Sequence, residues 1–174
     1  MDSSRHDVSG FGCGEPGTDS WLRLEAAADD RRPGWVVHVA AWEGRVVGCC
    51  RLGAFELQAP SDAPAGPGGW VSMPALLVSR LGVDQRWQGR GLGTSLLWHA
   101  LELAARLAPG MGARLVLARA ESPAAAGFAS RLGFHALDGD PRFSWLSIQD
   151  VQATSLAVTR LPATADPDSA DPPR

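Results

Sequence analysis

The chain has 174 residues and a formal net charge of -3, enough length for one domain with a buried core. It contains no lysine, asparagine or tyrosine, and is rich in Ala, Gly, Arg and Pro, a skew of composition that leaves arginine abundance alone saying little about nucleic-acid binding. Residues 162–174 carry three Asp and one Arg, which leaves the body near -1 and excludes a global basic field, though not a local patch.

No apolar run reaches the roughly 18 residues of a membrane-crossing helix. The charged, polar start over residues 1–7 predicts no leader, and a cytoplasmic location is the expectation. Residues 1–161 are expected to form the single domain.

Thr18 is the N-cap candidate of a first helix, beginning near Asp19 and reaching Asp30, with Trp21, Leu22 and Ala26 on one face. Residues 35–42 and 45–57 read as strands of a hairpin around Glu43 and Gly44. Cys49 and Cys50 are neighbours in the second strand and point to opposite faces. With Cys13 they show no metal spacing, so no metal is expected. Free thiols are one reading of them, and a covalent acyl-cysteine is the sharper one. Residues 59–70 form a Pro/Gly-rich loop, of the kind that covers sites or carries substrate contacts.

A hydrophobic run over residues 75–83 is long enough for one buried strand. A helix pattern follows, with Leu97, Ala100, Leu101, Ala104 and Leu107 spaced by threes and fours, and Pro109-Gly110 predicts its end. Residues 114–120 read as a strand, 123–131 as a helix and 143–148 as a last strand. The tail, 162–174, is too poor in apolar residues to pack and is expected to be disordered.

Between the buried strand and the long helix lies Gln88-Gly89-Arg90-Gly91-Leu92-Gly93-Thr94. Glycines on a strand-to-helix turn let backbone N–H groups converge, and the helix start adds its positive end, which suits a phosphate. A dinucleotide fingerprint needs glycine where Thr94 stands, and a phosphate-binding Walker loop needs lysine. What fits is Gln-x-x-Gly-x-Gly at Gln88, Gly91 and Gly93, directly after a strand ending Leu81-Gly82-Val83-Asp84. This resembles the pyrophosphate loop of the GCN5-related N-acetyltransferases (GNAT). The first segment, His6-Asp7-Val8 through Phe11, Cys13, Gly14 and Glu15 to Asp19, Trp21 and Leu22, is similar to the toxin branch of that family.

The resemblance implies an α/β (α+β) fold: a mixed, mostly antiparallel sheet of six to seven strands flanked by about four helices. It implies acetyl-coenzyme A as cosubstrate and a primary amine as acceptor, in the toxin branch the α-amine of aminoacyl-tRNA. It further implies a ribbon-helix-helix antitoxin as partner and allows a homodimer. An ordinary acetyltransferase for a small-molecule or peptide amine, and a silent coenzyme A-binding module, are the alternatives. The implied cosubstrate residues are Leu81, Gly82, Val83, Gln88, Gly89, Arg90, Gly91, Leu92, Gly93, Thr94, Ser122 and Phe128. In that branch the region corresponding to 59–70 is basic, whereas here it has one Asp and no Arg.

Catalytic side chains are less legible. The strand that often carries a Glu base has no acidic residue over 75–83, and its one charge is Arg80. The family segment Asn-x-x-Ala-x-x-Phe-Tyr reads here with Ser122 for Asn and Ala129 for Tyr, so the usual proton donor for the leaving thiolate is absent. An α-amine tolerates a missing base, since its pKa of about 8 leaves a neutral fraction at pH 7. His99, His135 and Ser130 attract no catalytic assignment. Arg86 and Arg90 flank the loop as phosphate candidates, and Trp87 and Trp98 read as packing rather than base stacking.

Overall fold

The computed structural model describes residues 6–60 and 70–159. Residues 61–69, most of the Pro/Gly-rich loop, and the tail at 162–174 lie outside the described residues. Six strands form one sheet in the order β1-β2-β3-β4-β6-β5. They are β1 Trp35–Trp42, β2 Arg45–Pro60, β3 Trp70–Val83, β4 Leu115–Arg119, β5 His135–Ala136 and β6 Phe143–Ser147. Only β3 and β4 pair in parallel; the other neighbours are antiparallel. This is the mixed, mostly antiparallel sheet expected from the sequence. Against about four helices expected, five lie among the described residues: α1 Pro16–Leu24, α2 Ala26–Asp29, α3 Leu92–Met111, α4 Pro123–Arg131 and α5 Ile148–Thr159.

Four boundaries differ from expectation, each for a local reason. The first helix begins at Pro16, whose missing N–H falls where a helix has no bond to make. Thr18 is therefore inside α1 and buried, not its N-cap. The strands of the long hairpin reach Pro60 and restart at Trp70, so the loop is shorter than 59–70. α3 runs past Pro109 and Gly110, and ends where Gly112 takes the left-handed conformation and lets Ala113 bond back to Ala108. Its buried stripe is Leu97, Ala100, Leu101, Ala104 and Ala108, while Leu107 is 42% exposed. α5 was not anticipated. Ser147 caps it, its hydroxyl accepting from the Asp150 amide at 3.0 Å, and Val151 anchors it in the core.

The sheet separates two apolar layers. α3 and α5 cover one face, packing Leu97, Leu101 and Val151 on Cys50, Leu52, Leu76, Val78 and Val116. α1 and α2 cover part of the other, packing Trp21, Leu22 and Ala26 on Phe11, Val37, Val46 and Cys49. Cys49 and Cys50 do face opposite ways, and all three cysteines are free. α2 is tied to the sheet by a buried charge. Asp29 accepts from Trp21 Nε1 at 2.8 Å and from Arg51 Nη1 at 2.6 Å, and the Arg51 guanidinium lies 4.1 Å from the Trp35 ring.

Burial opposes ionisation of Asp29, but the hydrogen bonds from Trp21 and Arg51 prevail and hold its pKa below the usual value. A depressed carboxylate stabilises the fold above its unfolded pKa of about 3.9, and the contribution is lost as pH falls through the lower folded value. Asp29→Ala is expected to destabilise the protein by about 3–5 kcal/mol at pH 7, because it strands Arg51. Urea unfolding at pH 7 and below pH 3 checks this: the difference from wild type should shrink in acid.

Candidate active site

The parallel pairing of β3 with β4 stops at Val78 opposite Ala118, although β3 continues to Val83 and β4 to Arg119. Past Val78 the two strands part. β3 stays paired with β2, but with an irregularity: Arg80 and Leu81 fall between Ser79 and Gly82, whose partners Arg51 and Cys49 are only two apart. The extra residue is a β-bulge, and it turns the strand away from β4. Arg80 takes a positive φ of 54° within it.

A cavity of about 610 Å³ fills the gap. Leu81, Gly82 and Val83 form one wall, residues 118–122 the opposite wall, and α4 contributes Ala124, Ala125, Phe128 and Ala129. Gln88, Gly89, Gly91, Leu92, Gly93 and Thr94 close one end. Eleven of the twelve residues read from the sequence thus meet around one space. Arg90 does not line it; its guanidinium lies 5.3 Å from the Trp87 ring. Ser122 lines the wall but spends its hydroxyl capping α4 at the Ala125 amide.

The loop is built to present amides. Gly89 and Gly91 have φ of 73° and 82°, which side chains disfavour, and the space beside both is open. Gly91 caps α3 without any side-chain hydrogen bond, so the first-turn N–H groups keep no internal partner. The Gln88 side chain locks the loop in place, donating to the carbonyls of Cys13 at 3.0 Å and Val83 at 2.9 Å. Asp84, only 2% exposed, accepts from Gly12 N and from Arg86 N, Nε and Nη2. Arg86 bonds, opposed by burial, hold its carboxyl below the usual range. Arg86 is thereby committed to Asp84 and to the Gly10 carbonyl, not to a phosphate.

The N-terminal segment supplies residues that sequence reading missed as cavity lining: Cys13, Glu15 and Thr18. They reach β3 because Gly82 has no side chain; a Cβ there would stand 3.1 Å from both Cys13 Sγ and Thr18 Cγ2. Thr18 Oγ1 is buried without a partner in this wall. Burial, reinforced by Asp19, pushes the Cys13 thiol up to about 12, so it stays protonated and does not act as an acyl nucleophile. Burial also pushes Cys50 up to about 12, and Cys49 upward as well. Glu121, Arg119 and Arg131 add charge to the opposite side, and Trp87 to the rim.

The other candidates lie elsewhere. His99 is exposed and meets His38 at 3.1 Å, His135 stacks on Trp145 in edge strand β5, and Ser130 is exposed. Trp98 packs against the main core, as expected, whereas Trp87 pairs with the exposed ring of Trp42. No cluster of three or more potential metal ligands, and no helix long and apolar enough to cross a membrane, exists among the described residues.

The comparison with known proteins agrees with this geometry. Residues 5–134 match the Acetyltransferase (GNAT) family. The tRNA-acetylating toxin of Mycobacterium tuberculosis is 35% identical over 157 residues, covering 87% of this chain and 92% of that protein. The chain belongs to the GNAT acetyltransferase family. Its fold is that of the AtaT toxin: a mutant bound to the C-terminus of the antitoxin AtaR and acetyl-CoA matches with TM-score 0.76 at 21% identity, over 88% of this chain and 93% of the other. AtaT complexed with acetyl-methionyl-tRNAfMet matches with TM-score 0.74 at 19% identity, over 89% and 95%.

Gly91→Glu is expected to weaken coenzyme A binding by about 100-fold or more, because it strains a left-handed residue and sets a carboxylate against the pyrophosphate. Calorimetry on the folded variant decides this; unchanged affinity would remove the loop from the binding site.

Proposed function

We propose that this protein transfers the acetyl group of acetyl-coenzyme A to the α-amine of aminoacyl-tRNA, acting in the cytoplasm as a toxin restrained by an antitoxin. The observation that carries the proposal is a cavity with a phosphate-binding loop at one end and an unpaired strand edge along one wall. The likeness to the tRNA-acetylating toxin of Mycobacterium tuberculosis supports the acceptor. The structures of AtaT with its antitoxin and with acetyl-methionyl-tRNAfMet support the partner and the substrate class.

The residues present fit acetyl-coenzyme A. The uncapped amides at the start of α3, with the turn at Gly89 and Gly91, hold the pyrophosphate. The edge of β3 past Val78 has lost β4 as a partner, so its main chain is free to bond the pantetheine amides and the thioester carbonyl. The thioester supplies an activated acetyl group. Phe128 and Leu97 add apolar surface to the cavity wall.

With the phosphate loop closing one end of the cavity, we assign the acceptor amine to the α1 side, lined by Glu15 and Thr18. It attacks neutral, and a carbon–nitrogen bond forms as the carbon–sulfur bond breaks. The nitrogen's proton passes to water. No side chain of β3 removes it, which an α-amine with a pKa of about 8 tolerates far better than a lysine near 10.4. The departing thiolate, from a thiol of pKa about 8.5, leaves without a phenol because position 129 is alanine.

Ala129 is 5% exposed and lines the cavity, so the position does face the chemistry. Ala129→Tyr is expected to raise single-turnover acetyl transfer by up to about 10²-fold while leaving cosubstrate affinity unchanged. A variant no faster than wild type would show that water already meets the need. The reading as a whole is tested with radiolabelled acetyl-coenzyme A and charged tRNA. Label appears on the aminoacyl-tRNA if it is right, and never leaves coenzyme A if the protein is a silent module.

A further inference from the structure

Arg80 stands beside the cavity, paired to its lining residue Glu121, and nothing in the transfer step above uses it. It is one of two non-glycine residues with positive φ among the described residues, and the other, Glu43, sits in a hairpin turn. A bulky side chain in that conformation is strained, and such strain gathers where function requires it. The side chain is also under-satisfied. Nε is buried without a partner, and the guanidinium makes no hydrogen bond among the described residues. It has only a loose ion pair, Nη1 to Glu121 Oε1 at 3.6 Å, and a position 5.9 Å from the Trp21 ring.

Its location narrows what it is for. A Cβ on Gly17 of α1 would lie 3.4 Å from Nη1, and Trp21 belongs to the α1 layer. The pyrophosphate loop instead caps α3, which packs on the opposite face of the sheet. Arg80 therefore stands on the α1 face, just behind the cavity wall formed by Glu15, Thr18 and Glu121, which is the side assigned above to the acceptor. Glu121, which lines the cavity, is the internal anion nearest to it, and Arg119 Nε lies 3.9 Å from the same oxygen. Two arginines thus face one weakly held carboxylate in the wall of the cavity. An external anion with two oxygens matches the unused fork of the guanidinium better than this carboxylate does.

We infer that Arg80 is a substrate-binding residue that takes the phosphodiester next to the acylated nucleotide of the acceptor. The inference rests on the reading of the acceptor as aminoacyl-tRNA. The phosphodiester preceding the terminal adenosine is the nearest anion to the reacting amine in such a substrate. Holding it would add binding energy for the acceptor and would explain why a strained, half-buried arginine occupies the bulge.

The test compares two acceptors that share one amine: aminoacyl-tRNA, and the same amino acid esterified to adenosine, which has no phosphodiester. For Arg80→Gln, KM for aminoacyl-tRNA should rise about 10–100-fold with kcat nearly unchanged, and the salt dependence of kcat/KM should weaken. KM for aminoacyl-adenosine should change by less than about 2-fold. Arg80→Lys keeps the charge without the fork and should fall between wild type and Arg80→Gln on tRNA alone. Calorimetry should show unchanged acetyl-coenzyme A binding in both variants. Equal loss on both acceptors would assign Arg80 a structural role and overturn the inference, as would no loss on either. If Arg80→Gln does not fold, the Arg80→Lys ratio between the two acceptors decides by the same criterion. Wild type that acetylates aminoacyl-adenosine but not aminoacyl-tRNA would instead overturn the acceptor reading, and the inference with it.

Discussion

The site exists because β3 cannot stay paired with β4. Their parallel ladder ends at Val78 opposite Ala118, and the extra residue at Arg80 and Leu81 bends β3 while β2 holds its other edge. Two strands that part inside a sheet leave main-chain groups without partners, which is costly unless a ligand or water completes them. The same bend opens the cavity, aims the residues at 81–83 along one wall, and delivers the chain to the Asp84 turn from which the phosphate loop starts. Everything around this opening is braced. Gln88 ties the loop to Val83 and Cys13, Asp84 ties it to Gly12 and Arg86, and Gly82 admits Cys13 and Thr18 against the strand.

That bracing also assigns the charged residues. Arg86, adjacent to the loop, is bound to Asp84, and Arg90 lies against Trp87, so what the loop offers a phosphate is backbone. The cysteines, raised in pKa by burial, are packing groups. With no acid at position 129 and no acidic side chain over 75–83, the proposed transfer relies on positioning, on main-chain polarisation and on the basicity of the acceptor itself. An α-amine is the acceptor for which that suffices.

Much of this was legible in the sequence because the signals were local. Strand, glycines and helix start occur together at 81–94, and the hairpin and α4 carry their own turn and cap residues. Elements whose limits depend on tertiary context were misread. Thr18 has the chemistry of an N-cap, but Pro16 starts the helix earlier and turns Thr18 inward. Pro109-Gly110 reads as a stop, yet packing at Ala108 and the cap at Gly112 carry α3 further. α5 had a local signal, Ser147 followed three residues later by Asp150, but too weak a stripe to be seen against the apolar strand before it. The α1 side of the cavity was the least legible part. Glu15, Thr18, Arg80, Arg119 and Glu121 converge from three separate segments, and no spacing in the chain announces a meeting that only the sheet brings about.

The central claim is that the unpaired edge of β3 and the start of α3 form one continuous binding surface for acetyl-coenzyme A. Amide hydrogen exchange with and without saturating acetyl-coenzyme A tests it directly. Exchange should slow at residues 81–83 and 89–95 together and stay unchanged at 75–78, where β4 already protects the strand. Protection confined to the loop, or absent from both segments, would contradict the account.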